Sequence, residues 1–411
     1  MSDNFVLDNI VAEVTPEQHK LLAELWGRID VLTNGTVPDY HSSSLNTLSE
    51  RTDIPIDLKF LQNKQIKQTL EKTTPAALLF ALRANVKHED PDTLLVRFLR
   101  ARSWVIDNSF LMLLKSLNWR AEEKIESGLL EGGDAAFDRP EDYATEPERK
   151  IARETRAMTS SGESFVHGAD KKGHPLVYIR VKFHDQWAQG KEAFLRATIM
   201  EVESTRMLLR PPITSVSIVF DLTGFGLRNM DMNALKVMAS GLQDNYPECL
   251  GSVYVYNAPW IINRIWGAIQ LWLDPVVAAK VKFVSTLDQL AEYIPREDIP
   301  KYMGGGDPWE WKWVPPVQPS PLSAEEKSSL EAARAERVKQ LDEYITVTSA
   351  WWKQFIAGDE AAAAASQKQR HDLALQLRDN YWKLDKYVRG RVWLDRVGIL
   401  KEDGSVNLTP K

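Results

Sequence analysis

The apolar positions of this chain fall into two spacings, and the change from one to the other divides it. Residues 16 to 32 place Leu21, Leu22, Leu25, Trp26, Ile29 and Leu32 at helical intervals, which predicts an amphipathic helix. Residues 33 to 58 are rich in Ser, Thr, Asn, Pro and Asp and read as a loose connector. Several further helical runs fill residues 60 to 126. In the run PDTLLVRFLRARSW, Asp90 is placed to cap and Pro91 to take the first helical position. Leu94, Leu95, Phe98 and Leu99 make its core face, while Arg97, Arg100 and Arg102 require solvent or anionic partners.

Glycines and acidic residues at 127 to 147 mark a connection, and beyond it the period shortens. PLVYIRV (175 to 181), SVSIVFDL (215 to 222), SVYVYNAP (252 to 259) and KVKFVST (280 to 286) read as strands. Helical stretches near 191 to 209, 230 to 244 and 260 to 273 separate them. This alternation predicts the α/β class, with a mixed, largely parallel sheet and right-handed crossover helices against it. After residue 306, WEWKWVPPVQPSP reads as a chain packed along the domain. Ser323 and Glu326 form a capping box, and helical runs near 323 to 345 and 366 to 390 flank the sequence GDEAAAAAS. Trp351, Trp352, Phe355, Tyr381, Trp382 and Tyr387 predict that this region docks on the main body or on a partner.

One crossover segment, WIINRIWGAIQLWLDP at 260 to 275, is unusually apolar. At 100° per residue, Ile261, Trp272, Ile265, Ile269, Ile262, Leu273 and Trp266 fill a continuous arc of roughly 140°. Arg264, Gln270 and Asn263 share the other side with Trp260 and Leu271. The segment is shorter and more polar than the about 20 apolar residues needed to cross a bilayer. It reads either as a helix buried between a sheet and its neighbours or as one with an apolar space beside it.

Composition narrows the function. The net charge of -6, from 51 basic and 57 acidic side chains, argues against a general nucleic-acid binder. A single cysteine, Cys249, excludes an intrachain disulfide and points to a reducing compartment, and its expected role is that of a buried small hydrophobe. The opening MSDNFVLDN is not expected to act as a secretory leader, and no segment is long enough to span a membrane. No Gly-x-Ser-x-Gly elbow, phosphate loop or paired-cysteine motif is present. Gly224 and Gly226 in DLTGFG lack the third glycine of a dinucleotide loop, since Asn229 stands there. His167, His174 and His184 have no metal-ligand spacing and read as surface or hydrogen-bonded residues. Asp221, at a strand end, reads either as a ligand-binding residue or as the cap of the following turn. Neither catalysis nor a metal is expected.

Taken together, LLVRFLRARSW at 94 to 104, DKKGHPLVYIRV at 170 to 181, FDLTGFG at 220 to 226, NYPECLGSVYVYNAPW at 245 to 260, LDPVVAAKVKFV at 273 to 284 and IPKYMGGG at 299 to 306 resemble the CRAL-TRIO family. The resemblance is to its fungal Sec14-like phosphatidylinositol transfer proteins of the CSR1 type. It implies a helical N-terminal unit before a lobe whose sheet floors a deep apolar cavity closed by a mobile helix. The segments implied are 1 to 58 (N-terminal helix and connector), 59 to 126 (helical unit), 127 to 164 (connection), 165 to 310 (lipid-binding domain) and 311 to 411 (Pro/Trp-rich segment and C-terminal helices).

By the same resemblance, Ile261, Ile262, Ile265, Trp266, Ile269, Trp272 and Leu273 belong to the gate. Arg102, Glu248 and Lys280 would form the inositol phosphate head-group site, or otherwise a salt-bridge network. Ser103 and Val277 depart from the family's basic residue and threonine. Val216, Ile218 and Leu208 stand where phosphatidylcholine-binding members carry hydroxyls and an aromatic, and they are expected in the cavity wall. The implied function is noncatalytic binding and transfer or presentation of phosphatidylinositol, with a second hydrophobic lipid as exchange cargo. A lipid-sensing adaptor is the alternative. Phospholipid, transient peripheral membrane contact and a lipid kinase are the expected partners, in the cytoplasm and at endoplasmic reticulum, endosomal or other intracellular membranes.

Overall fold

The structure, a computed structural model, describes residues 13–410. The expectation about a leader in MSDNFVLDN, and the Asn263 side chain, lie outside the described residues. In chain order the α-helices of five residues or more, among the described residues, are α1 (Pro16–Thr33), α2 (Ser42–Ser49), α3 (Lys64–Leu70), α4 (Pro75–Asn85), α5 (Pro91–Ala101), α6 (Ile106–Glu122), α7 (Glu146–Ser160), α8 (Lys191–Arg206), α9 (Met232–Val237), α10 (Trp260–Gln270), α11 (Pro275–Ala279), α12 (Leu287–Ala291), α13 (Ala324–Ala357) and α14 (Glu360–Val388). Five strands, β1 (Ser164–Ala169), β2 (Pro175–Arg180), β3 (Val216–Asp221), β4 (Leu250–Tyr256) and β5 (Val281–Val284), form one sheet. The chain divides into two compact units, Met1–Glu126 with Pro321–Tyr387, and Ser127–Ser320 with Val388–Lys411. Residues of the C-terminal segment 311 to 411 fall in both units.

The first unit is helical. Thr15 and Gln18 form a capping box that starts α1, with Pro16 in the first turn. Asp90 and Pro91 start α5 as expected, with the Asp90 carboxylate accepting from the Asp92 backbone N–H at 2.8 Å. The connector between α1 and α3 is not wholly loose: α2 forms within it because Leu45 and Leu48 reach the core. The helices of GDEAAAAAS also run longer than its loop-like look suggested. Gly358, in the left-handed conformation at the end of α13, and Asp359, which accepts from the Ala362 N–H, break them, and the alanines continue α14, as their helix propensity favours. Trp351 and Trp352 on α13 are buried in the core with Trp26 on α1, so the aromatic positions of this region dock within the unit.

A buried ionic knot joins these helices. Asp92 on α5 accepts from Trp26 Nε1 at 2.7 Å and from the Tyr344 hydroxyl at 3.3 Å, and it pairs with Arg370 on α14. The Arg370 guanidinium also lies 4.0 Å from the centre of the Trp351 ring and donates to Thr348 at 2.9 Å. Both charged groups are buried, so the carboxylate and guanidinium offset each other's desolvation. Arg97, expected at solvent or beside an anion, is buried and paired with Glu89 at 2.8 Å.

In the second unit the sheet order is β1-β2-β3-β4-β5, with β1 antiparallel to β2 and the other pairs parallel. The four expected strands are present. β1 was not expected: SFVHGA carries Gly168, which takes a left-handed φ of 69° where the register shifts between Val166 and Ala169. One sheet face carries Phe165, Tyr178, Val219, Tyr254 and Val284 and is packed by α12 and the turns up to Met303. Trp309 and Trp311 pack along that same core with Trp393, and Trp309 stacks on His167 at 4.0 Å, so the tryptophan-rich passage runs along this unit as expected.

Removing one partner of the buried pair in the first unit strands a charge. Asp92→Ala is expected to lower unfolding stability by about 3–5 kcal/mol, with part of that loss recovered when Arg370→Met is added, as read by denaturant unfolding.

Candidate functional site

The other face of the sheet is apolar and incompletely covered. Strand pairing lays its side chains in two rows: Val166, Val177, Ile218, Val253 and Val281 in one, and Ser164, Ile179, Phe220, Val255 and Phe283 in the next. Nine of these ten positions are hydrocarbon. β3 is a central strand, and such a strand is ordinarily buried on both faces. Here Ser217, Val219 and Asp221 are buried, whereas Val216, Ile218 and Phe220 on the opposite face are only partly so. The two expected wall residues Val216 and Ile218 therefore lie on this open floor. Leu208 is buried in the turn after α8. The nearby Ser217 hydroxyl points to the packed face, where it donates to Asp170 at 2.7 Å, so it adds no polar group to the floor.

At the β5 side the floor meets α10. Ile262 joins the cluster of Leu222, Val253, Val255, Val281 and Phe283, and Trp266 meets Phe283 edge-on at 5.3 Å. Yet none of the described residues of α10 is buried. Ile261, Ile262, Ile265, Trp266 and Ile269 are all partly exposed. The helix ends at Gln270, shorter than its apolar arc, so Trp272 and Leu273 lie in the turn that follows. The stop has a local cause: Asp274 caps α11 and Pro275 opens it, which disfavours a helical conformation just before.

At the β1 side a cavity of ≈ 160 Å³ opens between the floor and α8. Val166, Ile179, Phe194, Met200 and Met238 line it, together with Trp393 and Leu394 from the end of the chain. Polar side chains also line it, among them Asp134, Glu163 and Thr198, and within it Ser164 donates to Glu201 on α8. Burial, with a smaller push from the negative Glu163 nearby, raises the Glu201 carboxyl to about 7 against the Ser164 hydrogen bond. No spacing rule in the sequence marks Glu201, since a single carboxyl within a helix normally reads as a solvated residue.

The three head-group candidates come from different parts of the fold. Lys280, at the end of α11, places its Nζ 3.8 Å from Glu248 and donates to the Leu250 carbonyl at 2.8 Å. Glu248 adopts a left-handed φ of 57°, just before β4. These two residues form one partly exposed site at the start of β4 and β5. Arg102 belongs to the helical unit, where it caps the end of α5 and donates to the Ala101 carbonyl at 3.1 Å.

The other candidates have local roles. Asp221 accepts from the Thr223 N–H at 2.9 Å and so caps its turn. His167 pairs with Asp307 at 2.5 Å and His174 with Asp170 at 2.9 Å. His184 lies between Glu163 and Asp231, at 3.0 and 3.3 Å. Burial opposes charge on the His184 imidazole, but the two carboxylates outweigh it and hold its pKa above the ordinary range. Cys249 is partly exposed rather than the buried hydrophobe expected.

Residues 159–305 match the CRAL/TRIO domain and residues 62–115 the CRAL/TRIO, N-terminal domain. The CRAL-TRIO domain-containing protein C3H8.02 of Schizosaccharomyces pombe is 34% identical over 90% of this chain and 78% of its own length. The chain belongs to the CRAL-TRIO family. Within this family of lipid-binding and transfer proteins, the phosphatidylinositol transfer protein CSR1 of Eremothecium gossypii is 31% identical, over 88% of this chain and 80% of its own length. The crystal structure of Sfh5 aligns with 54% of this chain and 73% of its own at 20% identity and a TM-score of 0.38. The CRAL-TRIO assignment covers both the helical N-terminal stretch and the sheet whose open face is described above.

Glu201 gives this cavity a pH signature. A carboxyl held protonated in the fold penalises folding only where the unfolded chain ionises, so stability should fall as pH rises from about 4.5 toward about 7 and then level off. Glu201→Gln is expected to remove that slope, gaining stability over the wild type progressively across the window. Thermal unfolding of both proteins at a series of pH values measures it, and parallel curves would exclude a buried, protonated Glu201.

Proposed function

We propose that the protein is a noncatalytic carrier that encloses phosphatidylinositol, and a second hydrophobic lipid in exchange, over the apolar sheet face and transfers or presents them at intracellular membranes from the cytoplasm. The observation that carries this reading is the pair of hydrocarbon rows spanning all five strands beneath a helix with no buried described residue. A folded chain does not ordinarily leave so broad an apolar face half covered unless another molecule completes it. At roughly 0.8 kcal/mol per methylene, an acyl chain of about sixteen carbons costs roughly 12 kcal/mol to expose to water, so carriage requires enclosure. α10 serves as the gate in this reading. Opened against a bilayer, its isoleucines and tryptophan would meet lipid rather than water, which lowers the energy of the open state.

Lys280 and Glu248 form the head-group site. The lysine ammonium offers a charge-assisted hydrogen bond to the phosphodiester, and the glutamate accepts from an inositol hydroxyl. The relationship to a phosphatidylinositol transfer protein at 31% identity supports this choice of head group. The absence of hydroxyls on the floor at Val216 and Ile218 supports it over phosphatidylcholine.

Mass spectrometry of lipid released from gently purified protein is expected to recover phosphatidylinositol. Lys280→Ala should reduce that recovery and vesicle-to-vesicle transfer roughly 10- to 150-fold, the equivalent of about 1.5–3 kcal/mol, with folding retained. Recovery of only neutral lipid, or phosphatidylinositol binding indifferent to the substitution, would remove the head-group assignment.

A further inference from the structure

In the second unit, several large apolar side chains leave a single edge of the sheet and remain in solvent. β2 to β5 end in register, with Arg180 beside Asp221, Asp221 beside Tyr256, and Tyr256 beside Val284. The chain leaving β2 carries Trp187, 75% exposed; that leaving β3 carries Leu227, 77% exposed; and that leaving β4 carries Trp260, 65% exposed. Phe183, after β2, adds a further exposed ring.

These tips are braced, although their apolar side chains are not packed. The Gln186 N–H donates to the Arg228 carbonyl at 3.3 Å, and its side-chain amide donates to the Leu227 carbonyl at 3.1 Å. Asn229 Nδ2 donates to the His184 carbonyl at 2.6 Å, and Arg228 pairs with Asp185. Asn257 Nδ2 donates to the Thr223 hydroxyl at 3.2 Å, which ties the third loop to the second. Ordering loops costs conformational entropy, and displaying tryptophan and leucine to water is unfavourable as well. The bracing therefore presents a shape that only a partner makes favourable.

Charge selects the partner. Lys182 and Arg264 are exposed, and each lies over an exposed ring: Lys182 Nζ is 5.1 Å from the Phe183 centroid, and the Arg264 guanidinium is 4.8 Å from that of Trp260. Of the carboxylates at and just beyond this edge, Asp221 is buried, Asp185 is paired with Arg228, Asp231 with His184 and Asp288 with Arg296. Tryptophan favours the boundary between head groups and hydrocarbon, and lysine and arginine favour anionic phosphates.

We infer that this edge is the membrane-docking surface: Trp187, Leu227 and Trp260 enter the head-group and acyl boundary of an anionic phospholipid bilayer, while Lys182 and Arg264 meet its phosphates. The inference rests on the proposed carrier function, and it adds that α10 is held at the bilayer by its first residue.

Co-sedimentation with phosphatidylcholine vesicles, with and without phosphatidylserine, tests it. Trp187→Ala combined with Leu227→Ser is expected to weaken partition onto the anionic vesicles about tenfold, leaving thermal unfolding and co-purifying lipid unchanged. A polarity-sensitive dye on Leu227→Cys, in a Cys249→Ser background, should shift to the blue when vesicles are added. Undiminished partition of the double variant, or a dye that stays in water on vesicle-bound protein, overturns the inference. So does conversion of a dimer to a monomer by the double substitution with partition intact, which would make this edge a contact between copies of the chain. Partition through this edge by a protein that yields no extractable lipid would defeat the carrier function and leave the docking surface standing.

Discussion

An apolar sheet face that the chain itself does not fill sets the terms for the second unit. One side of each strand is consumed by packing: Phe165, Tyr178, Val219 and Tyr254 disappear beneath α12 and the tryptophan-rich passage. On the other side, Ile218 and Phe220 sit at the middle of a five-stranded sheet and still retain exposure. Burying such surface is worth about 25 cal/mol per Å², so the part of it left uncovered, at Ile179, Ile218, Phe220, Val281 and Phe283, is a standing drive toward association. The face requires a cover that is apolar, adaptable and removable. An acyl chain meets the first two conditions, and a lightly held helix meets the third.

α10 is suited to be lightly held. An isolated helix of 11 residues is marginal in water, so it depends on its contacts. Pro259 provides no side-chain cap, and Ile262 and Trp266 supply the packing against the sheet. The first unit shows the opposite economy. Asp92, Arg370, Tyr344 and Trp26 satisfy one another in a closed buried network, an arrangement that tolerates little displacement. Beside the floor of the second unit, by contrast, stand two polar pairs, Glu201 with Ser164 at β1 and Glu248 with Lys280 at the start of β4 and β5. The middle stays hydrocarbon.

Much of this was legible in the sequence, for identifiable reasons. Strands β2 to β5 announced themselves because each alternates or runs apolar between turn residues, and α5 because Asp90 and Pro91 mark its start. β1 was hidden because it carries Gly168 and an irregular register, and α2 because Ser and Asn are weak helix formers that two buried leucines override. α10 stood out by its apolar arc, but the turn at Asp274 and Pro275, rather than that arc, decides where it ends. Glu248 and Lys280 were selected by family resemblance alone, and their 3.8 Å approach depends on adjacent parallel strands that residue spacing cannot express. Glu201 was invisible, since its character comes from the burial around it.

The two ends of the floor face opposite ways, and this bears on how a lipid would move. The Glu248 and Lys280 pair lies where β4 and β5 begin, whereas Trp187, Leu227 and Trp260 leave the edge where the parallel strands end. Seven residues of β4 span roughly 23 Å at about 3.3 Å each, and one leaflet of a bilayer's hydrocarbon core is about 15 Å deep. A phospholipid with its phosphate at Lys280 would thus lay its tails along the strands toward the docking edge. Its tails would point to the membrane and its head group away from it, the orientation it already has in the leaflet it leaves. Under these assignments the lipid enters head group first, along its own axis, without turning over, and its tails pass from bilayer to sheet with little exposure to water. The polar pair at one edge and the apolar tips at the other then act as the two ends of a single path, with α10, which starts at Trp260 and leads to Lys280, lying alongside it.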